Sequence, residues 1–126
     1  MGIQGLHQIL KPALKNVNVA DYKGCTAVID IMVWLYKGAY SCSYELGKGE
    51  PTLTFLGFPL KMLRLLTSKG IKPICVFDGL HLQAKQSAEK ERFESKLKNR
   101  VLAEQADETG DIESARRHYA RSLVLR

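Results

Sequence analysis

Apolar residues fall into two kinds of pattern along this chain. Two runs are short and unbroken: Ala27-Val28-Ile29 before Asp30, and Ile74-Cys75-Val76-Phe77 before Asp78. Such runs predict buried strands, here over 26–30 and 73–77. The other segments repeat at helical spacing. Leu6, Ile9, Leu10 and Leu14 line one side of a short helix over 5–15, whose length Pro12 limits. Ile31 begins a helix running to about Ser43, directly after the first strand. Leu53 to Ser68 reads as a Leu-rich helix, in which Pro59 makes either a kink or the first turn. From Leu82 to about Asp107 a long helix is predicted, with Ala84, Ala88, Phe93, Leu97, Val101 and Ala106 as a narrow apolar stripe. A last helix spans Ile112 to about Leu125.

Turn residues separate these elements. Asn16 to Gly24 is a polar connection, and 47–52 is a loop with two Gly and a Pro. Lys69-Gly70 closes one helix, and Thr109-Gly110-Asp111 combines a glycine cap with the next N-cap. The order is helix, strand, helix pair, strand, two helices, an α/β pattern. Two strands are few for a parallel sheet, which needs cover on both faces. The expectation is therefore the first part of a larger domain.

Composition sharpens this picture only in places. The chain has 126 residues, with 19 Lys+Arg against 13 Asp+Glu and a net charge of +6. That excess favours a polyanionic partner without establishing one. The three cysteines, Cys25, Cys42 and Cys75, form no C-x-x-C pair, which argues against a zinc site or a disulfide framework and for a reducing compartment. Cys75 is expected to be a buried small hydrophobe. The opening Met1-Gly2-Ile3-Gln4-Gly5-Leu6 is not a signal peptide, and Leu6 stands where a myristoylation signal wants Ser or Thr. No apolar run is long enough to cross a membrane. No P-loop, G-x-G-x-x-G or nucleophile elbow is present.

The candidate chemistry centres on Asp30 and Asp78. Ligands of open parallel sheets bind at the carboxyl ends of the strands. Two acids on neighbouring strands, about 4.8 Å apart, can share a cation. Singly, each aspartate reads as a turn or N-cap residue; together they suit a hard cation such as Mg²⁺. Lys85 and Arg92 are two helical turns apart and share a face, with Glu89 between them. From Lys85 to Arg100 there are six cations and three acids. By spacing alone this is a salt-bridged surface helix, and its alternative is a phosphate clamp. Arg116, Arg117, Arg121 and Arg126 read as a solvated face with DNA contact as the alternative. His7, His81 and His118 have no metal-ligand spacing. Trp34 and Tyr36 read by position as core and rim.

The motifs also carry a resemblance. Met1-Gly2-Ile3-Gln4-Gly5-Leu6, Val28-Ile29-Asp30, Trp34-Leu35-Tyr36-Lys37-Gly38-Ala39, Lys48-Gly49-Glu50-Pro51-Thr52 and Gly70-Ile71-Lys72-Pro73-Ile74-Cys75-Val76-Phe77-Asp78-Gly79 occur in that order. Together they resemble the N-terminal region of the flap endonuclease family of structure-specific 5′ nucleases, in its exonuclease 1 branch. The resemblance implies a PIN-like α/β fold with a central parallel sheet, wedge helices over 32–66 and a helical arch over 82–125. It divides the chain into a sheet core with wedge helices (1–80) and gateway and arch helices (81–126), with the internal nuclease region beyond.

The activity implied is 5′→3′ exonucleolysis of double-stranded DNA with 5′-flap cleavage, using two Mg²⁺ ions, in nuclear mismatch repair and recombination. Asp30 and Asp78 match metal-site carboxylates, and Lys85 and Arg92 match the basic pair over the scissile phosphate. Gly2 matches a glycine close to the DNA. Lys61 and Arg121 are further expected DNA contacts. Met32 stands where the family has a stacking tyrosine, and Tyr36, one turn on, replaces the branch's usual histidine and is the substitute for stacking. Partners implied are DNA with 5′ ends, nicks, gaps or flaps, and mismatch-repair proteins reached through other regions. The rival readings are a DNA-binding module that hydrolyses nothing, and a small basic interaction protein. An open sheet edge and uncovered apolar faces lead us to expect self-association.

Overall fold

The computed structural model describes residues 3–79 and 86–125. Helix α1 (Leu6–Leu10) is followed by a tighter turn over Lys11–Ala13 that Pro12 opens. Strand β1 (Thr26–Asp30) runs straight into α2 (Ile31–Ala39), because the Asp30 carboxylate caps the helix that follows. A short turn leads to α3 (Ser43–Lys48), then α4 (Gly57–Ser68), strand β2 (Lys72–Val76), α5 (Gln86–Glu108) and α6 (Ile112–Ser122). No described helix is long and apolar enough to cross a membrane.

The two strands pair in parallel, with Val28 opposite Ile74 and Asp30 opposite Val76. Their entry is fixed at Gly70, whose positive φ of 73° closes α4 with reverse bonds from Gly70 N to Thr67 O (2.9 Å) and from Ile71 N to Leu66 O (3.0 Å). Gly70 O then accepts from Gly24 N at 2.9 Å, and Lys72 N donates to Cys25 O at 2.9 Å, which starts the ladder.

Alternation gives the sheet two unlike faces. Ile29 and Ile71 are buried on the side of α2 and α4, both of which contact β2. On the opposite face Val28 is 70% exposed, and Ile74 and Val76 are exposed too. Cys75 is only half-buried, not the buried hydrophobe expected, because two strands give it incomplete cover.

The helical half closes better. Ala103 of α5 and Ala115 of α6 are fully buried, with Tyr119 packed against them and Tyr44 of α3 and Ala106 at their edge. Small residues let α5 and α6 approach closely. This corrects the expected stripe of α5: Phe93 and Leu97 are 54% and 56% exposed, and Val101 is exposed as well. Of the expected stripe Ala106 packs against the cluster, half-buried, and the buried residue beside it is Ala103, because α6 covers only that side.

Three further boundaries differ from the sequence reading. The helix after Asp30 breaks at Ala39 and resumes as α3, so Gly47 and Lys48 are helical and the loop begins at Gly49. Pro59 sits in the first turn of α4 and is buried, so there is no kink. Strand β2 begins at Lys72 and ends at Val76, one residue early at each end. The expected start of α5 at Leu82, with Ala84, lies outside the described residues.

Candidate metal centre and nucleic-acid interface

Asp30 ends β1 and Asp78 follows β2, at the same end of the parallel pair. Asp30 lies opposite Val76, so Asp78 is two residues further along its chain. At about 3.3 Å per extended residue and about 4.8 Å between strands, a hydrated cation can lie between the two. Both aspartates are exposed. Asp30 Oδ1 accepts from Met32 N at 3.1 Å, which orients the carboxylate, and among the described residues Oδ2 has no hydrogen-bond partner. Its N-cap role and its candidate metal role therefore use different oxygens. Exposed carboxylates are the hard donors Mg²⁺ takes while keeping its waters. Among the described residues no group of three or more His, Cys, Asp or Glu side chains comes together. Asp30 and Asp78 thus match a divalent cation in donor type.

The cations expected to face a phosphate are distributed over several elements. Arg92 is exposed on the N-terminal half of α5, Lys61 on α4 and Arg121 on α6. Gly2 and Lys85 lie outside the described residues, as do His81 and Arg126. Arg116 and Arg117 are exposed on α6, where Arg117 donates to Ser114 Oγ at 3.0 Å. The salt-bridged character expected of α5 is present at Arg100, which holds Glu104 one turn on at 2.7 Å.

Aromatic residues sit beside the cations. Trp34 of α2 meets Phe58 of α4 edge-on at 6.4 Å, and Lys37 Nζ lies 4.5 Å above the Phe58 ring. Tyr36 turns toward α5: its hydroxyl accepts from Lys96 Nζ at 3.4 Å and from Leu125 N at 3.3 Å. Lys96 also lies 5.2 Å from the centre of the Tyr36 ring. A cleft of about 330 Å³ opens next to it, lined by Leu46, Phe93, Leu97, Leu123 and the stems of Lys96 and Arg100.

Sequence reasoning missed a polar cluster that ties α3 to the end of α5. Lys48 Nζ donates to Asp107 Oδ2 at 2.9 Å, and Tyr44 Oη donates to Asp107 Oδ1. The Tyr44 bond holds the Asp107 carboxyl below the ordinary carboxylate range, and Lys48 adds to this. The same contacts push the Lys48 ammonium and the Tyr44 hydroxyl above their usual values, each chiefly through its bond to Asp107. Tyr44 also packs edge-on against Tyr119 at 5.8 Å. No local signal announces this cluster, since Lys48 and Asp107 are 59 positions apart.

The XPG N-terminal domain matches residues 1–99. Exonuclease 1 of Xenopus laevis is 44% identical over 99% of the chain, and exonuclease 1 of Drosophila melanogaster is 39% identical over 98% of it; the chain covers 17% of each. Exodeoxyribonuclease 1 of Saccharomyces cerevisiae is 36% identical over 99% of the chain, which covers 18% of it. The chain thus spans less than a fifth of the length of these relatives. The chain belongs to the XPG N-terminal domain family and is similar, over nearly its whole length, to the N-terminal region of eukaryotic exonuclease 1.

Proposed function

We propose that this chain is the N-terminal part of a Mg²⁺-dependent 5′→3′ exonuclease acting on double-stranded DNA, with 5′-flap cleavage as a second activity. The observation that carries the reading is the parallel pairing of β1 with β2, which brings Asp30 and Asp78 to one end of adjacent strands. The relatives named exonuclease 1 support it. In this reading the sheet grows into a PIN-like core, with 1–80 as sheet and wedge and 81–126 as gateway and arch.

Asp30 and Asp78 would hold two Mg²⁺ ions together with carboxylates from the rest of the nuclease, and metal bound there would supply water activation and an offset for charge on the displaced oxygen. The Met32 amide, which donates to Asp30 Oδ1, orients this carboxylate. Arg92 and Lys85 act on the phosphate itself: the Arg fork orients it and the Lys charge offsets the negative charge that develops in the transition state. Gly2, Lys61, Arg121 and the Trp34–Phe58 surface engage the flanking duplex. Substrates are DNA with recessed 5′ ends, nicks, gaps or flaps. The setting is nuclear repair and recombination, with mismatch-repair proteins bound elsewhere on the longer protein.

The test is hydrolysis of a 5′-labelled recessed duplex by the chain, with Mg²⁺ or with chelator, beside Asp78→Ala. Mg²⁺-dependent cleavage that Asp78→Ala abolishes supports the nuclease reading and means that another copy completes the ligand set. A second reading, a DNA-binding module that hydrolyses nothing alone, is favoured by the absence of a third acid near Asp30 and Asp78 among the described residues. Salt-sensitive duplex binding without cleavage would select it. Neither cleavage nor salt-sensitive binding would remove both.

A further inference from the structure

Helix α5 is held unevenly along its length. Its C-terminal half is fixed by Ala103 and Ala106 against α6 and by Asp107 against Lys48 and Tyr44. Asn99 Oδ1 adds a contact to His118 Nδ1 of α6 at 3.0 Å. Further toward the N-terminus, Arg92, Phe93 and Leu97 are all exposed. Among the described residues of this half, Lys96 makes a polar contact with another element, through the hydroxyl and ring of Tyr36. The 3.4 Å separation is long for a hydrogen bond, and the ammonium's place over the ring adds a cation–π attraction. The Tyr36 hydroxyl is occupied twice, because Leu125 N donates to it from beyond α6.

Position gives this contact its meaning. Tyr36 lies on α2, the helix that Asp30 caps, so it is rigidly linked to the metal-site acid. Lys96 lies one turn from Arg92 on the same face of α5. A hydroxyl on one helix and an ammonium on the other thus join the acid-bearing element to the cation-bearing one.

We propose that Tyr36 is a positioning residue: by holding Lys96 it fixes the N-terminal half of α5, and so sets where Arg92 stands relative to Asp30. The inference rests on the phosphate-facing role proposed above for Arg92. It assigns Tyr36 a part different from base stacking, since Lys96 and Leu125 engage its hydroxyl and Lys96 also faces its ring. Tyr36→Phe keeps the ring and removes the acceptor.

The experiment combines backbone hydrogen exchange with duplex binding, on the wild-type chain and on Tyr36→Phe, Lys96→Met, Arg92→Ala and the Tyr36→Phe/Arg92→Ala pair. Tyr36→Phe should raise exchange about fivefold over residues 90–98 and leave 101–108 unchanged, and Lys96→Met should do the same. The Tyr36→Phe variant should also weaken binding of a 5′-recessed duplex, and that loss should vanish in the Arg92→Ala background. Unchanged exchange over 90–98 would overturn the latch while leaving the DNA reading intact. A binding loss that persists undiminished without Arg92 would overturn it in favour of direct contact between Tyr36 and DNA. If the wild-type chain shows no salt-sensitive binding, the DNA reading falls and the positioning role falls with it, whatever the exchange shows.

Discussion

The sheet half and the helical half of this molecule solve the same burial problem to different degrees. In α3, α5 and α6 the approach is close: Ala103 and Ala115 are fully buried, and a Lys–Asp–Tyr cluster ties the layer together. In the sheet half one face is covered by α2 and α4, while the other exposes Val28, Ile74 and Val76, with Phe77 exposed just beyond β2. The candidate metal acids lie at the end of that half-covered sheet. The part that packs best is therefore not the part that holds the candidate metal acids. An α/β site needs the rest of its sheet to complete both its core and its ligand set.

Two glycines sharpen the comparison, one in each half. A Cβ on Gly38 would stand 2.0 Å from the Phe55 carbonyl oxygen, a backbone atom that cannot turn aside. On Gly47 it would stand 2.2 Å from the Tyr119 ring, a buried side chain that yields more than backbone does but only by disturbing the cluster it packs in. Gly38→Ala should destabilise by about 3 kcal/mol, and Gly47→Ala by about half as much. Urea unfolding of the two variants checks the order, and an equal or reversed pair would break the comparison.

The open sheet face should make the chain self-associate. Sedimentation should show mass rising with concentration, and Val28→Lys with Ile74→Lys should return it to a monomer. A wild-type chain that stays monomeric and unfolds cooperatively at high concentration would contradict this.

The smallest effect expected is pH-dependent and confined to the helical half. Asp107 titrates below the ordinary carboxylate range when folded, so its contribution is present above about pH 4 and is lost as pH falls through the folded value. Lys48 and Tyr44 are shifted upward, so theirs is full below about pH 10 and declines as pH rises further. Asp107→Asn should flatten both limbs of the stability profile, because it removes the acid-titrating group and the chief cause of both upward shifts, and Tyr44→Phe should weaken both limbs while Lys48–Asp107 keeps part of each. Profiles that keep both limbs in both variants would show that the cluster does not act.

What the sequence made legible follows from how local each cause is. Strand β1 was readable to the residue, because its apolar run, its Asp cap and the helix after it are adjacent in the chain. Gly70 and Gly110 announced their helix ends for the same reason. The packed side of α5 was readable only in part. Ala106 belongs to the expected stripe and packs against the cluster, but Phe93, Leu97 and Val101 are exposed, and the buried Ala103 lies outside the stripe. Asp30 was legible as a strand end, Asp78 lies two residues past the end of β2, and their shared end followed once the pairing was parallel. The Tyr36–Lys96 contact was not legible, since it joins residues 60 positions apart and neither carries a motif for the other.

One measurement reaches the shared site directly: titration of Mn²⁺ into the chain, followed by water-proton relaxation, for wild type, Asp30→Ala and Asp78→Ala. If the two strand ends share a cation, either substitution should weaken binding about tenfold or more, and the double variant should lose little beyond that. Binding that is unchanged by either substitution, or additive losses from two independent sites, would contradict the shared site on which the nuclease reading stands.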